Sequence, residues 1–133
     1  MQRWKGKILK VSTGDIVWVN LNPVQGGEKG KKRPCLILVG SGHPWQIVII
    51  VPITEPNKGA LRSAKMFVPI SATTETLLDK DSIVDCFQVR CVSESRLSEW
   101  DNKPMVKGKA PESVIQDVRT RLAAILDIGE EHV

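Results

Sequence analysis

Residues 34–51 read Pro-Cys-Leu-Ile-Leu-Val-Gly-Ser-Gly-His-Pro-Trp-Gln-Ile-Val-Ile-Ile-Val. Two apolar, largely β-branched runs, 34–39 and 46–51, flank a connection built from Gly40, Gly42 and Pro44. That arrangement predicts an antiparallel hairpin. The runs are continuous rather than alternating, so both faces of each strand are expected to be covered. Such a hairpin belongs at the centre of a small barrel or sandwich.

The flanking sequence supplies further strands. Upstream, residues 14–21 (Gly-Asp-Ile-Val-Trp-Val-Asn-Leu) are β-branched and aromatic and are closed by Asn22 and Pro23, which predicts a strand. Residues 24–33 hold three glycines and four basic side chains and read as an exposed loop. Downstream, the polar stretch 57–62 reads as a loop, 65–70 as a short strand and 73–78 as a helical turn. Residues 82–92 alternate around Ile83, Val84, Cys86, Val89 and Cys91, suggesting one more strand with a bulge, and 105–107 suggest an edge strand. In the C-terminal segment Pro111 suits a first helical turn and Glu112 a helix N-terminus, with Arg119 and Arg121 towards the other end. Val114, Ile115, Val118, Leu122, Ile125 and Leu126 share one face at helical spacing, and Gly129 is a plausible stop. The expected fold is mainly β with a C-terminal α-helix: a basic arm at 1–13, a single small β-barrel domain at 14–129 and a tail at 130–133.

The whole chain has 133 residues, 41% hydrophobic and 26% charged, as expected for one globular domain. The run 47–51 is far short of the roughly 20 apolar residues of a membrane helix. The first twelve residues lack a long apolar core, so no secretory signal is expected. Charge is unevenly placed. Residues 1–33 carry eight basic side chains and two acidic ones, net +6, against eleven basic and thirteen acidic in the remainder, net −2, giving +4 in all. That field suits a polyanion such as nucleic acid; its plainer reading is a solubilising arm. Cys35, Cys86 and Cys91 have no paired spacing and only two histidines accompany them, so no zinc site is predicted. Cys35 reads as a small buried hydrophobe, His43 as a loop residue, and the compartment as a reducing cytoplasm.

No nucleophile elbow, phosphate-cradling loop or zinc-protease helix occurs in the sequence. The stretch 26–34, Gly-Gly-Glu-Lys-Gly-Lys-Lys-Arg-Pro, is followed one hairpin later by Val51-Pro-Ile-Thr54. With 14–23, Gly-Asp-Ile-Val-Trp-Val-Asn-Leu-Asn-Pro, these motifs closely resemble the MazF/PemK family of toxin endoribonucleases. Residues 81–90, Asp-Ser-Ile-Val-Asp-Cys-Phe-Gln-Val-Arg, are similar to that family's Asp-Ser-x-Val-x-x-x-Gln-x-Arg segment, and Ser95-Arg-Leu97 and the helix follow in order. The resemblance runs from Gly14 to Ile128.

It implies an SH3-like barrel in a homodimer, cleaving single-stranded mRNA at short motifs with no metal or other cofactor. It also implies a cognate antitoxin with an acidic disordered C-terminal tail, DNA binding by the toxin–antitoxin complex, and no membrane partner. Carried over by position, Arg33, Thr54 and Glu28 are the catalytic candidates, and Lys29, Lys31, Lys32, Gln88 and Trp18 the RNA-binding ones. The residue types suit the chemistry. A guanidinium stays charged and grips two phosphate oxygens, Pro34 pins Arg33 at a strand mouth, and the Thr54 hydroxyl can serve the same phosphate. Glu28 is the only carboxylate in the loop, available as a base or as a brace for the loop. The chain departs from the family pattern at Gly27, Lys29, Glu55 and Phe87, the last replacing the acid–base aspartate of the PemK branch. The competing function is a gyrase-directed or catalytically inactive RNA-binding protein on the same barrel.

Overall fold

β-Branched residues at 16–19, 47–51 and 82–84 hold the chain extended where apolar cover is available on both sides. The computed structural model describes residues 10–22, 25, 26, 28, 32–56, 64–97, 99–100, 103–104 and 106–128. In chain order the strands are β1 (Asp15–Asn20), β2 (Lys32–Val39), β3 (Ile47–Thr54), β4 (Phe67–Ile70), β5 (Ser82–Asp85), β6 (Arg90–Ser93), β7 (Glu99–Trp100), β8 (Lys103–Pro104) and β9 (Val106–Lys109), followed by helix α1 (Glu112–Ile125). Seven strands form one sheet in the order β4-β5-β3-β2-β1-β9, with β6 also paired to β3, while β7 and β8 form a separate ribbon.

The hairpin expected from 34–51 is β2 and β3, antiparallel through Cys35↔Pro52, Leu36↔Val51 and Ile37↔Ile50. Both strands run further than the apolar pattern marks. β2 begins at Lys32, because Asn20↔Lys32 and Val19↔Arg33 continue its ladder with β1. β3 has two neighbours on its other side: β6 pairs Ile47 to Ile50 and β5 pairs Ile53 and Thr54. Pro52, which has no N–H to donate, falls in the gap between them. The same gap corrects the reading of 82–92 as one bulged strand. The chain leaves β5, makes a 3-10 turn at Cys86–Gln88, and returns to β3 as β6. Residues 73–78 form a single turn, as expected, closed by the Leu77 amide donating to the Thr73 carbonyl at 2.9 Å. It is braced by the buried Thr76, whose hydroxyl donates to the Ser71 carbonyl at 2.9 Å and accepts from the Thr73 amide at 3.0 Å. The edge strand lies at 106–109, slightly beyond its expected place.

Both faces of the central hairpin are covered, as its continuous runs require. Ile16, Leu36, Val51, Ile53, Val68 and Val84 pack beneath α1 through Val114 and Val118. Val17, Val19, Cys35, Ile37, Ile50 and Val92 make a second core on the opposite face. Val11 joins that second core and its amide donates to Ser41 Oγ at 2.9 Å, so the packed region begins before the boundary drawn at Gly14. Helix α1 starts after Pro111 and buries Val114, Ile115 and Val118, while Leu126 is exposed. Its stop is set at Asp127 rather than Gly129, which lies outside the described residues. Asp127 has φ +57°, and the Ile128 and Asp127 amides donate to the carbonyls of Ala123 and Ala124 at 2.8 and 3.2 Å. Those paired bonds are a Schellman cap. Among the described residues no helix is long and apolar enough to cross a membrane.

Candidate active site

Alternation along β2 and β3 determines which polar side chains meet at the open end of the hairpin. Cys35 and Ile37 face the same side as Ile50 and Val48, and with Cys35 opposite Pro52 the next same-side pair outward is Arg33 opposite Thr54. The structure bears this out: Arg33 Nη1 donates to Thr54 Oγ1 at 3.3 Å. Both residues are half-buried. They form one wall of an open cleft of about 530 Å³ that Trp18, Lys32 and Lys80 also line. Trp18 reaches it because its β1 position pairs with Pro34, so the indole is neither fully core nor fully exposed.

Of the eight residues singled out in the sequence, Arg33, Thr54, Lys32 and Trp18 come together in this cleft. Lys29 and Lys31 lie outside the described residues. Glu28 and Gln88 are not among the cleft's lining residues. The Glu28 carboxylate accepts from the Gln25 amide at 2.7 Å, and the Glu28 amide donates back to the Gln25 carbonyl at 3.2 Å. Its visible work is to close the turn within its own loop. Gln88 ends the 3-10 turn after β5, where Cys86 is buried and Phe87 is exposed.

Of the other cleft residues, the sequence reading marks Glu55 only as a departure from the family pattern and gives Lys80 no role. Glu55 follows Thr54 off the end of β3, and because Thr54 pairs with Ile83 the approach to β5 runs beside it. Lys80 lies on that approach and meets the Glu55 carboxylate at 2.8 Å. The hydrogen bond and charge of Glu55 push the Lys80 ammonium pKa up, so Lys80 stands at the cleft as a cation. Lys32, Arg33 and Lys80 supply its positive charge, against the carboxylates of Glu55 and Asp79. Two further arginines secure the neighbouring loop root. Arg96 Nη1 donates to the carbonyls of Asn20 and Asn22, and Arg90 Nη1 to that of Leu21 at 3.4 Å. These are the arginines of the 81–90 and 95–97 motifs, and the motifs do not reveal that they hold the end of β1.

The cleft thus sets a guanidinium hydrogen-bonded to a hydroxyl, among three cations and two carboxylates, at the end of a mainly antiparallel sheet closed by one helix. Residues 12–126 match the family model of the PemK-like, MazF-like toxins of type II toxin–antitoxin systems, and the chain belongs to that family. It is 26% identical over 123 residues to endoribonuclease MazF6 of Mycobacterium tuberculosis, spanning 89% of this chain and 98% of the relative, and equally to endoribonuclease MazF2 of Mycobacterium bovis. The crystal structure of MazF from Deinococcus radiodurans is similar at TM-score 0.72 and 25% identity, covering 90% of this chain and 99% of that one. A MazE–MazF crystal structure from the same organism superposes at TM-score 0.64 and 25% identity, covering 90% and 98%. The M. tuberculosis toxin MazF-mt6, at TM-score 0.62 and 20% identity over 87% of this chain and 99% of that one, shares the fold.

Proposed function

We propose that this protein is a sequence-specific endoribonuclease, the toxin of a toxin–antitoxin pair, cleaving single-stranded mRNA in the cytoplasm. The observation that carries this is the Arg33–Thr54 hydrogen bond in a cation-lined cleft, together with relatives that bear the endoribonuclease name.

The nucleophile is the substrate's own 2′-hydroxyl. Its oxygen gives up its proton to solvent and bonds to the adjacent phosphorus, the bond from phosphorus to the 5′-oxygen breaks, and that leaving oxygen takes up a proton from solvent. The products are a 2′,3′-cyclic phosphate and a 5′-hydroxyl. Negative charge grows on the non-bridging oxygens as the phosphorus becomes five-coordinate. Arg33, oriented by its partner Thr54 and by the Pro34 backbone, meets that charge with donors already in place. Thr54 keeps a hydroxyl donor available to the same phosphate. Lys32 attracts the polyanion, Trp18 offers a ring edge to a base, and Glu28 closes the turn it makes with Gln25. An internal nucleophile with a guanidinium at the phosphate needs no metal. Two copies of the chain form the working toxin, and an antitoxin with an acidic tail would be drawn to the same positive cleft.

The test is incubation of purified protein with a mixed RNA pool, with and without EDTA, followed by mapping of both ends. Cleavage unaffected by EDTA, with cyclic phosphate and 5′-hydroxyl ends, is expected. Arg33→Ala should lower the rate by roughly 10²–10³. Arg33→Lys should restore only part of it, because an ammonium lacks the planar fork. Full activity in Arg33→Ala, or activity lost in EDTA and restored by a divalent ion, overturns the reading.

A further inference from the structure

Lys80 and Glu55 lie in the same cleft as Arg33 and Thr54, yet nothing in the proposed reaction uses them. Their ion pair closes at 2.8 Å between side chains that are 62% and 68% exposed. A pair so open to water adds little to the stability of the fold. The partners come from the two chain segments that border Thr54: Glu55 directly follows it, and Lys80 precedes the strand paired with it. The pair therefore holds the cleft in a particular charge state. While it is closed, one of the three cleft cations is neutralised beside the residue proposed to face the scissile phosphate.

We propose that Lys80 is a substrate-binding residue for the RNA phosphate next to the scissile one, engaged when that phosphate replaces Glu55 as its partner. This rests on the reading of the cleft as an RNA-cleaving site. Lys80 suits the role physically. Its ammonium is a compact charge on a flexible stem with three donors, able to turn from a carboxylate to a phosphate without moving backbone. Glu55, once released, is already close to full hydration, so breaking the pair strands no buried charge. The exchange is also selective. A single weakly held anion competes poorly with Glu55, whereas a polymer anchored at Arg33 presents its next phosphate at high effective concentration. Glu55 thus works as a built-in competitor that RNA must displace.

The proposal makes a cycle of variants informative. A short random-sequence 2′-O-methyl RNA pool, in which the nucleophile is capped, serves as the probe, read by fluorescence anisotropy across a salt series. Glu55→Gln removes the competitor and is expected to tighten binding by about 2- to 5-fold, the range of an exposed pair. It should also steepen the slope of log affinity against log salt by about 0.7, one phosphate contact on a single strand. Over a fourfold rise in salt that slope is an extra loss of about 2.6-fold. Adding Lys80→Gln to Glu55→Gln should cancel both changes, and Lys80→Gln alone should weaken binding.

If Glu55→Gln tightens binding equally with and without Lys80, Glu55 merely repels RNA and the proposal fails. If Glu55→Gln leaves affinity and slope unchanged, it fails as well. If Glu55→Gln abolishes cleavage of ordinary RNA while binding is unaltered, the carboxylate is a reacting group instead, and the proposal again fails. Arg33→Ala separates these results from the underlying reading: its full activity overturns the site itself, whereas its inactivity alongside an unresponsive Lys80 overturns only the exchange.

Discussion

Thr54→Val is the sharpest perturbation of the site, because it removes one hydroxyl and keeps the shape. Valine is close to threonine in volume and prefers the same extended backbone, so the end of β3 and its pairing with Ile83 should survive. What is lost is the bond from Arg33 Nη1, which at 3.3 Å is long for its kind. Intramolecular hydrogen bonds contribute about 0.5–1.5 kcal/mol net, and a long one in a half-open cleft belongs at the lower end, about 0.5–1 kcal/mol. At a few degrees per kcal/mol for a chain of this length, the melting temperature should fall by about 2–5 °C. The cost to cleavage should be much larger. Thr54 both offers a donor to the charged phosphate and holds Arg33 in its working orientation, and losing a preorganised donor of that kind costs roughly 10²–10³ in rate, or about 2.7–4 kcal/mol. Single-turnover cleavage with enzyme in excess isolates that step from product release. Thr54→Ser, which keeps the hydroxyl, should stay within about tenfold of the parent. If the two residues act as a unit, Arg33→Ala combined with Thr54→Val should be little slower than the worse single variant. A Thr54→Val protein that cleaves within about threefold of the parent would refute the account, since every structural consequence of the change favours retention of the fold.

Two predictions concern the scaffold. A Cβ added at Gly108 would lie 2.2 Å from the Thr76 carbonyl oxygen and 2.5 Å from that of Glu75, in a turn whose threonine bonds leave it little room to retreat. Gly108→Ala should therefore cost about 1–3 kcal/mol and lower the melting temperature by about 5–15 °C; an unchanged melting curve would show that the turn yields. Burial, and next the charge of Asp85, push the Cys86 thiol from the ordinary 9.0 up to about 12, against the opposing pull of Arg121. The unfolded chain then loses this proton above about pH 9 while the folded chain keeps it, so stability present below pH 9 should decline towards pH 12, by up to about 1.4 kcal/mol per pH unit. Urea unfolding of the parent and Cys86→Ser between pH 8 and 11 checks the sign, and equal pH slopes in the two proteins would refute it.

The central hairpin, the first strand and the helix were legible because continuous apolar runs and a 3.6-residue repeat are local signals. Residues 82–92 were not, because β5 and β6 are set by tertiary pairing: both lie along β3, on either side of the Val51–Pro52 step, and the turn at Cys86–Gln88 carries the chain from one to the other. Arg33 and Thr54 were legible only as members of a motif. Their contact follows once Cys35 is known to face Pro52, since two further steps along each strand bring them opposite one another. Glu28 shows the reverse case. Its position in a motif marks it out, yet its carboxylate is taken up by the Gln25 amide, a local bond that the spacing of residues cannot reveal. Lys80 and Glu55 are far apart in the sequence, and the β3–β5 register brings them together. The same register that fixes Thr54 against Ile83 therefore also fixes the ion pair beside it. The Arg33–Thr54 contact depends on the β2–β3 register and the ion pair on the β3–β5 register, so a one-residue slip on either side of β3 would break one of them, and the proposed phosphate grip and its competitor share that one strand.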